Sequence, residues 1–374
     1  MIAPINHPQS AINHRPSTIS PPPSTSTFFR RKKVLVTGHT GFKGSWLSLW
    51  LQALGAEVFG VALAPTGCTN LYELAGIGEG MESCILDIRD ADGLRARLQE
   101  IQPECIFHLA AQPLVRQSYA DPVGTFATNI MGTAHLLEAL RFVDSVRSVV
   151  VVTTDKCYEN HERLHPYREE DKLGGHDPYS ASKAGAEIVA ASYRSSFFKE
   201  SGVRVATARA GNVIGGGDWA ADRLIPDAIR AFTSGQPLIL RNPGATRPWQ
   251  HVLEPLGGYL LLAERLQESG GSGFDCAWNF GPDPEGNSTV GHVASRVGDL
   301  WGGGTVEQLD NRLEPHEAGL LQLDSSRAKA LIGWKPRWSL EEALQLTVAW
   351  YRLCHAGGDV AELMLEQIRE YQKL

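Results

Sequence analysis

Residues 34–50, VLVTGHTGFKGSWLSLW, decide the fold of this chain. The stretch begins with an apolar run at 34–36, which is typical of a buried parallel strand. Three glycines follow at intervals of three residues, and an apolar helical pattern begins after them: Gly38, Gly41 and Gly44. Strand, glycine turn and helix in this order form a phosphate-binding turn, because the helix N-terminus offers free N–H groups and the positive end of its dipole. The same spacing also occurs in connections that bind nothing, so the remainder of the chain has to decide.

Composition excludes several classes of function. With 374 residues the chain can bury a large core and form one or two domains. Acidic residues outnumber basic ones by 42 to 35, a net charge of −7, and the one basic block at 30–33 is short, so no nucleic-acid partner is expected. No apolar stretch approaches the length of a membrane span, so no membrane partner is expected either. The six cysteines are scattered without a C-x-x-C pair, which indicates reduced thiols in a cytoplasmic protein and no metal site.

Strand and helix patterns alternate through the first half of the chain. Residues 1–29 are rich in Pro, Ser and Thr and are expected to form a disordered tail. Apolar strands are then predicted, with helical patterns in between, at 34–36, 57–63, 81–86, 105–110, 148–154 and 203–209. This alternation predicts an α/β fold, a doubly wound parallel sheet with helices on both faces, as a Rossmann domain over 30–210.

The pattern changes after Gly211 into shorter pieces rich in Gly, Pro and Trp. We expect a smaller mixed α/β substrate lobe that takes up most of 211–374. A strand-helix unit at about 250–269 is predicted to return to the main sheet. The last segment, 359–374, is amphipathic and is expected to cover the core.

A tyrosine and a lysine four residues apart open the helix that begins at Pro178. The spacing puts Tyr179 and Lys183 on one helical face. A nearby ammonium lowers the pKa of a phenol, so Tyr179 is a candidate base near neutral pH, and Lys183 is also able to hold a ribose. Such pairs are common by chance, but this one follows a glycine-rich turn and five predicted strands, which strengthens the functional interpretation.

Together these segments resemble the extended short-chain dehydrogenase/reductase family over about residues 33–338. The resemblance implies NAD as the cofactor, with Tyr179 and Lys183 as the catalytic pair and Thr154 as their hydroxyl partner. It also implies cofactor contacts from the glycine turn, from the segment after the third strand, from the AAQ turn after the fourth strand, and from the end of the fifth strand with the helix that follows: Gly38, Thr40, Gly41, Phe42, Lys43, Gly44, Asp87, Ile88, Ala110, Ala111, Gln112, Thr153, Tyr179 and Lys183.

The end of the second strand departs from a common pattern. Many NAD-binding units of this type carry an acidic residue there, which binds the ribose hydroxyls. Here the strand ends in the sequence ALAP at 62–65, with no acid and no obvious arginine. The choice between NAD and NADP therefore cannot be read at this position.

The loop after the fifth strand, TTDKCYEN at 153–160, narrows the function. Asp155 and Lys156 directly follow Thr154 at the carboxyl edge of a parallel strand, where open α/β sheets place their ligands. A solvated loop with two charges is the alternative interpretation. The loop resembles that of the nucleotide-sugar 4,6-dehydratases of the family, whereas the 4-epimerases usually carry small residues there. Five further motifs share this resemblance, which implies CDP-glucose as the substrate: GHTGFKGSWL, LAAQPLVRQSY, DPYSASKAGAE, NVIGGGDW and RPWQHVLEPL.

The dehydratase resemblance implies formation of CDP-4-keto-6-deoxyglucose, as in deoxysugar biosynthesis for lipopolysaccharide O-antigen. Tyr179 would take the O4 proton as hydride leaves C4, Asp155 would protonate the departing O6 hydroxyl as a base removes the C5 proton, and hydride would then return to C6. The acid must be protonated and the base deprotonated at the same pH. Two adjacent groups of different pKa can meet this condition. Lys156 is either that base or a group that stabilises the enolate while another takes the proton.

Substrate contacts are expected from the second lobe. Planar arginine forks suit a diphosphate, and aromatic faces suit a base or a sugar. The candidates are Asn212, Arg223, Arg241, Arg247 and Trp249. Ordinary packing is the alternative for each of them. His108 lies within an apolar strand and is interpreted as a core histidine whose hydrogen bonds are satisfied.

Two other functions stay open at this point. One is a nucleotide-sugar epimerase or reductase on the same fold, against which Asp155 and Lys156 argue. The other is a catalytically inactive dinucleotide sensor or scaffold, which would be expected to lack Tyr179 or Lys183.

The helices predicted at 122–142 and 178–198 carry small and apolar faces that suit a four-helix interface, so a homodimer or a homotetramer is expected.

Overall fold

The computed structural model describes residues 25–67, 69–268, 273–308 and 319–374. Its strands are β1 (Lys33–Thr37), β2 (Glu57–Ala62), β3 (Glu82–Ile85), β4 (Cys105–His108), β5 (Ser148–Val152), β6 (Arg204–Ala210), β7 (Asn212–Ile214), β8 (Leu238–Leu240), β9 (Thr246–His251), β10 (Ala277–Phe280), β11 (Asn287–Thr289) and β12 (Val306–Gln308). Its α-helices are α1 (Thr25–Phe28), α2 (Phe42–Ala53), α3 (Leu71–Leu74), α4 (Ala91–Ile101), α5 (Val115–Ala120), α6 (Pro122–Phe126), α7 (Gly132–Leu140), α8 (Pro178–Tyr193), α9 (Leu224–Thr233), α10 (Leu253–Gln267), α11 (Val290–Trp301), α12 (Leu340–His355) and α13 (Val360–Lys373).

The main sheet has seven parallel strands in the order β10-β6-β5-β4-β1-β2-β3. The six strands predicted from apolar runs are β1 to β6, so the predicted doubly wound α/β fold is confirmed. β1 lies between β2 and β4, with Val34 opposite Val58 on one side and Cys105 on the other. The strand order reverses at this point, and such a switch opens a crevice at the carboxyl ends of the strands.

The two long helices predicted at 122–142 and 178–198 are present, and each contains a stretch of π-helix. Ala127–Met131 joins α6 to α7, and Arg194–Phe198 continues α8. α8 packs against α6 and α7. Among the described residues, no helix combines the length and the apolar character needed to cross a membrane.

The strand-helix unit predicted at 250–269 is only partly right. Helix α10 packs on β5 and β6 of the main sheet. The strand before it, β9, pairs instead with β7 and β11 in a separate sheet of three strands. The strand that joins the main sheet is β10, which runs parallel to β6. Its four residues are too few to show a period in the sequence. Ser269, at the end of the predicted unit, lies outside the described residues.

The smaller part of the molecule combines strands and helices, as predicted. It contains the sheet β7-β9-β11, the parallel pair β8 and β12, and the helices α9 and α11. The C-terminal helix α13 returns to the main part and packs against α2, with Met364 and Ile368 buried and Tyr371 edge-on to Trp50 at 5.6 Å. The prediction that the final helix covers the core is confirmed.

The packed chain begins before the predicted boundary of the tail at residue 29. Phe29 is fully buried, with its ring 6.2 Å from that of Phe107 on β4. The boundary is therefore wrong, because a single aromatic side chain after a polar segment shows no periodicity yet fills a core site. The part of the predicted tail at 1–24 lies outside the described residues.

Phe29→Ala tests this placement. We expect a loss of about 3–5 kcal/mol in the free energy of unfolding, because the substitution leaves a cavity in a packed site. Phe28→Ala is the matched control, since Phe28 is only half-buried, and it should cost clearly less. Urea denaturation of both variants measures the difference. Equal stabilities of Phe29→Ala and the wild type would show that the segment does not belong to the core.

Candidate active site

A cavity of about 1400 Å³ runs from the carboxyl ends of the parallel strands to the smaller part of the molecule. Every residue predicted for the site lines this cavity except Gln112. The lining predicted residues are Gly38, Thr40, Gly41, Phe42, Lys43, Gly44, Asp87, Ile88, Ala110, Ala111, Thr153, Thr154, Asp155, Lys156, Tyr179, Lys183, Asn212, Arg223, Arg241, Arg247 and Trp249.

The glycine turn has the close packing that a dinucleotide-binding turn requires. Gly38 has a φ of +76°, and a Cβ there would lie 2.7 Å from the backbone nitrogen of Ala110. A Cβ on Gly44 would lie 2.0 Å from the carbonyl oxygen of Gly38, so only glycine lets α2 approach β1 this closely. Gly41 caps α2 without a side-chain hydrogen bond, and no acidic residue lies in the first turn of the helix. The free N–H groups of the helix therefore face the cavity without a competing negative charge, which fits a pyrophosphate.

Lys43 lies at the end of this turn and reaches the buried Tyr259 of α10. Its ammonium donates to the Tyr259 hydroxyl at 3.1 Å. Burial lowers the pKa of Lys43 to about 7, and the charges of Lys183 and Arg223 add to the effect. Lys43 therefore lies in the positive part of the site that also holds Lys183 and Arg223.

Gln112 is the exception among the predicted cofactor contacts. Its side chain donates to the carbonyl oxygen of Leu114 at 3.1 Å and to the Thr125 hydroxyl at 2.9 Å. Its backbone pairs with Asn129, which also donates to Ser182 at 2.8 Å. Gln112 thus holds the loop after β4 onto α6 and α8 and does not line the cavity. Sequence spacing cannot distinguish a cofactor contact from the anchoring of a loop, since either role places the residue at the end of β4.

Tyr179, Lys183 and Thr154 come together at the end of β5, as predicted. Lys183 donates to the carbonyl oxygen of Val152 at 3.0 Å. Burial raises the pKa of Tyr179 to about 12, and a hydrogen bond with Thr154 and the positive charge of Arg223 are the largest effects that oppose the rise. The expectation that Lys183 lowers this pKa below its usual value is therefore not met in the protein alone, because burial dominates.

Lys183 also lies in the field of a buried carboxylate, Glu187, that was not predicted from the sequence. Burial lowers the pKa of Lys183 to about 8, and the negative charge of Glu187 opposes this. Glu187 accepts hydrogen bonds from the Thr153 hydroxyl, from Thr207 at 2.7 Å and from Arg209 at 2.8 Å. The spacing of four residues between Lys183 and Glu187 was a signal that could have predicted this charge effect.

Asp155 lies 2% exposed at the start of a short 3-10 turn, Asp155–Cys157. The Thr154 hydroxyl donates to its Oδ1 atom at 3.0 Å, and its buried Oδ2 atom has no hydrogen-bond partner among the described residues. Burial raises the pKa of Asp155, although Lys156, Thr154 and Arg247 oppose the rise. A buried carboxyl group with one unpaired oxygen holds a proton more readily than an exposed one. Lys156 is half-buried in the cavity wall beside it.

The predicted substrate residues line the cavity from the smaller part of the molecule. Arg223 pairs with Asp218 at 2.8 Å, and Arg241 pairs with Asp222 at 3.2 Å. Asp222 also pairs with Arg116 of α5 at 3.4 Å, so one carboxylate connects the two walls of the cavity. Trp249 and Arg247 are buried, and Trp249 donates to the carbonyl oxygen of Ser288 at 2.9 Å. The contact between Arg116 and Asp222 had no sequence signal, because the two residues lie far apart in the chain.

His108 is a core residue, as interpreted from the sequence. Its Nδ1 atom lies 2.7 Å from the Thr37 hydroxyl and its Nε2 atom 3.1 Å from the Thr133 hydroxyl. Burial lowers the pKa of His108 to about 3, so the ring is neutral and has no charge to contribute.

Fold and site together define a nucleotide-sugar-modifying enzyme of the extended short-chain dehydrogenase/reductase type. The model of the GDP-mannose 4,6 dehydratase family matches residues 35–270, and the chain belongs to this family. A CDP-glucose 4,6-dehydratase of Salmonella typhimurium is 49% identical over 92% of this chain and 97% of its own length. The resemblance drawn from the sequence motifs is confirmed.

Solved structures of two different activities share the fold. A dTDP-glucose 4,6-dehydratase from Streptomyces venezuelae, crystallised with NAD, is similar with a TM-score of 0.76 and 26% identity, over 87% of this chain and 99% of that one. A UDP-glucose 4-epimerase from Thermus thermophilus, in complex with NAD, has a TM-score of 0.75 and 27% identity, over 86% of this chain and 99% of that one. Because dehydratases and epimerases share it, the fold alone does not decide the reaction.

Asp155→Asn should stabilise the folded protein at about pH 8 by roughly 1–3 kcal/mol, because it removes a buried carboxylate with an unpaired oxygen. The pKa of Asp155 is raised in the folded state, so its carboxylate costs stability above that pKa. The advantage of the variant should shrink as the pH falls below the raised pKa of the folded state, and it should vanish below the unfolded value of 3.8, where the carboxyl is protonated in both states.

Urea unfolding at several pH values measures this effect. Asp144→Asn controls for the change of residue type, since Asp144 is exposed. A variant at position 155 that is less stable than the wild type at about pH 8 would contradict the unfavourable burial of this carboxylate.

Proposed function

We propose that this protein is an NAD-dependent 4,6-dehydratase that converts CDP-glucose to CDP-4-keto-6-deoxyglucose. The observation that carries the proposal is the buried Asp155, whose pKa is raised and whose Oδ2 atom is unpaired beside the Tyr179 site. Elimination of water needs a proton donor for the departing hydroxyl, whereas epimerisation at C4 does not. A buried carboxyl group whose pKa is raised is suited to hold the proton that the first reaction needs, and the second reaction has no use for it.

The choice of CDP-glucose rests on the Salmonella relative, which is 49% identical along nearly the whole of both chains. The choice of NAD rests on the dehydratase and epimerase structures crystallised with it. The glycine turn Gly38–Gly44 would hold the pyrophosphate, Asp87 and Ile88 the adenosine side, and Lys183 the ribose next to the ring. The bound cofactor would accept hydride from C4 and return it at C6.

The residues of the chain itself handle the protons. Tyr179 takes the proton of the sugar O4 hydroxyl, and for this it must be a phenolate. Arg223 and the Thr154 hydroxyl favour the phenolate, since both lower the pKa of Tyr179 against the effect of burial. Asp155 then donates its proton to O6 as the bond between C6 and O6 breaks, and water leaves.

The C5 proton has to be removed once C4 is a ketone. Lys156 is the nearest candidate, because it follows Asp155 and lies in the cavity wall. It acts there either as the base or as the cation that stabilises the enolate. The substrate diphosphate fits the guanidinium groups of Arg116 and Arg241, for which it would compete with Asp222.

Incubation of the protein with CDP-, dTDP-, GDP- and UDP-glucose, followed by product analysis, tests the reaction and the nucleotide. We expect a 4-keto-6-deoxy sugar from CDP-glucose. Asp155→Asn should uncouple the steps, because the amide keeps the size of the side chain but cannot donate a carboxylic proton. The variant should oxidise C4 and accumulate reduced cofactor, while water loss falls by roughly 10²–10⁴-fold.

Nicotinamide absorbance during a single turnover, with deuterium incorporation at C5 measured in parallel, separates the steps. Tyr179→Phe is the control, because it removes the base for the first step and should abolish oxidation and water loss together. If Asp155→Asn lowers C4 oxidation and water loss equally, the acid role is wrong. A wild-type product that keeps O6 and differs only at C4 would establish the epimerase instead.

We further propose that the protein is a homodimer in which α6, α7 and α8 form a four-helix interface with their copies; a tetramer built from such dimers is compatible with the same contact. These helices pack against each other and expose large apolar side chains, among them Val123 at 76% and Ile188 at 59%. Exposed apolar side chains grouped on neighbouring helices are typical of a protein–protein interface.

Ile188→Lys should shift the protein from dimer to monomer, because it places a charge in a buried contact. Sedimentation velocity at micromolar concentration measures the change. Leu164→Lys is the matched control: Leu164 is 84% exposed outside these helices, so its substitution should leave the sedimentation coefficient unchanged. A wild-type protein that sediments only as a monomer would rule out this interface.

A further inference from the structure

The proposed dehydration leaves two side chains in the wrong protonation state after each turnover. Tyr179 takes a proton from O4, which ends as a carbonyl oxygen. Asp155 gives a proton to O6, which leaves as water. The C5 proton that is removed is replaced by another at the same carbon, so it cancels. At the end of a turnover Tyr179 therefore holds one proton more than at the start, and Asp155 holds one fewer.

The Thr154 hydroxyl lies between these two groups. Its Oγ1 atom donates to Oδ1 of Asp155 at 3.0 Å. On its other side, a hydrogen bond with the Thr154 side chain lowers the pKa of Tyr179 against the effect of burial. A hydroxyl group has a single hydrogen, so it donates to one of the two neighbours and accepts from the other. In the orientation in which Thr154 donates to Asp155, its Oγ1 atom accepts from the backbone N–H of Lys156 at 3.3 Å, and its other lone pair can accept from the Tyr179 phenol.

All three groups are nearly removed from water. Thr154 is 7% exposed, Tyr179 9% and Asp155 2%. The walls of the cavity around Asp155 are close, since a Cβ on Gly211 would lie only 3.1 Å from its Oδ2 atom. With the substrate seated in the cavity, a direct route between the two side chains is shorter than a route through bulk water.

We propose that the Thr154 hydroxyl returns the proton from Tyr179 to Asp155 once in each turnover. The phenolic O–H bond of Tyr179 breaks and its proton joins Oγ1 of Thr154, while the original hydrogen of Thr154 passes to Oδ1 of Asp155. The products are the phenolate and the neutral carboxyl group from which the next turnover starts. No charge enters or leaves the site, and no further reactant is needed.

The electrostatics of the site favour a single negative charge on the pair. Burial raises the pKa of Tyr179 and that of Asp155, so one negative charge between them is better tolerated than two. Two acids that interact in this way titrate as a pair. In the protein alone the higher pKa of Tyr179 holds the shared proton on the phenol, and Arg223 and the Thr154 hydroxyl are the groups that favour its release towards Asp155.

The inference rests on the proposed dehydratase activity, and Thr154→Val tests it. The isosteric side chain removes the hydroxyl but leaves the proton already on Asp155 for a first turnover. With cofactor bound, the variant should release about one product per site in a burst and then continue slowly, so that the ratio of first-turnover to steady-state rate rises at least about tenfold over the wild type. Rapid-quench measurement of the 4-keto-6-deoxy product gives both rates.

Two further variants define the controls. Thr154→Ser keeps the hydroxyl and should keep the wild-type ratio of the two rates. Thr347→Val removes a buried hydroxyl on α12, away from the cavity, which donates to the carbonyl oxygen of Ala343 at 2.6 Å, and should also keep that ratio. Should Thr154→Val fail to fold, Thr154→Ala removes the same hydroxyl and must give the same burst.

Equal slowing of the first and the later turnovers, without a burst, would overturn the relay. Thr154 would then act only on the acidity of Tyr179. Failure of the proposed function would give a different result, because the wild-type protein would then form no 4-keto-6-deoxy sugar in the same assay. That result would also rule out the relay.

Discussion

One close backbone contact sets the geometry of the whole site. The carbonyl oxygen of Gly38 occupies the space that any side chain at Gly44 would need, with only 2.0 Å to an added Cβ. The contact lets α2 lie directly against the end of β1, and α2 then carries Trp46 into the core. The Trp46 indole donates to the carbonyl oxygen of Gly216 at 2.9 Å, at the entrance to the smaller part of the molecule. The same contact therefore places both the glycine turn and the indole that binds the backbone at Gly216.

The fold was predictable where local pattern and tertiary structure agree. Buried parallel strands are continuous apolar runs, so β1 and β5 are visible in the sequence, and the helices between them follow from periodicity. β10 and Phe29 were missed, because each depends on a distant partner, β6 in one case and Phe107 in the other. A short segment whose place is decided by a far-off neighbour leaves no local signal. The cytoplasmic location expected from the cysteines stays a prediction.

The identity of the candidate site residues was predictable, but their electrostatics were not. The spacing of Tyr179 and Lys183 correctly placed both at the cavity, since helical geometry is local. The same spacing suggested that the ammonium controls the phenol, whereas burial has the largest effect on the pKa of each. Depth of burial is a property of the assembled fold. Arg223, the main positive charge that favours the phenolate, comes from the smaller part of the molecule, and the sequence assigned it only to the substrate.

Two buried carboxyl groups near the end of β5 differ in their hydrogen bonds and therefore in their roles. Burial acts to raise the pKa of Glu187, but Arg209 and the Thr153 and Thr207 hydroxyls hold it below its usual value. Glu187 is thus a permanent anion, and the charge it provides keeps Lys183 cationic. Asp155, with one hydrogen bond from a side chain and one unpaired oxygen, has no such set of donors.

A carboxyl group that accepts three side-chain hydrogen bonds, as Glu187 does, cannot readily take up a proton, and it is suited to holding other groups in place. A carboxyl group that is buried but left short of donors gains a proton at small cost, and this makes it an acid. The unpaired oxygen of Asp155 weakens the folded state, because a buried polar atom without a partner is unfavourable. The same burial that weakens the folded state raises the pKa of Asp155, so the carboxyl group that destabilises the fold is the one suited to protonate a leaving hydroxyl.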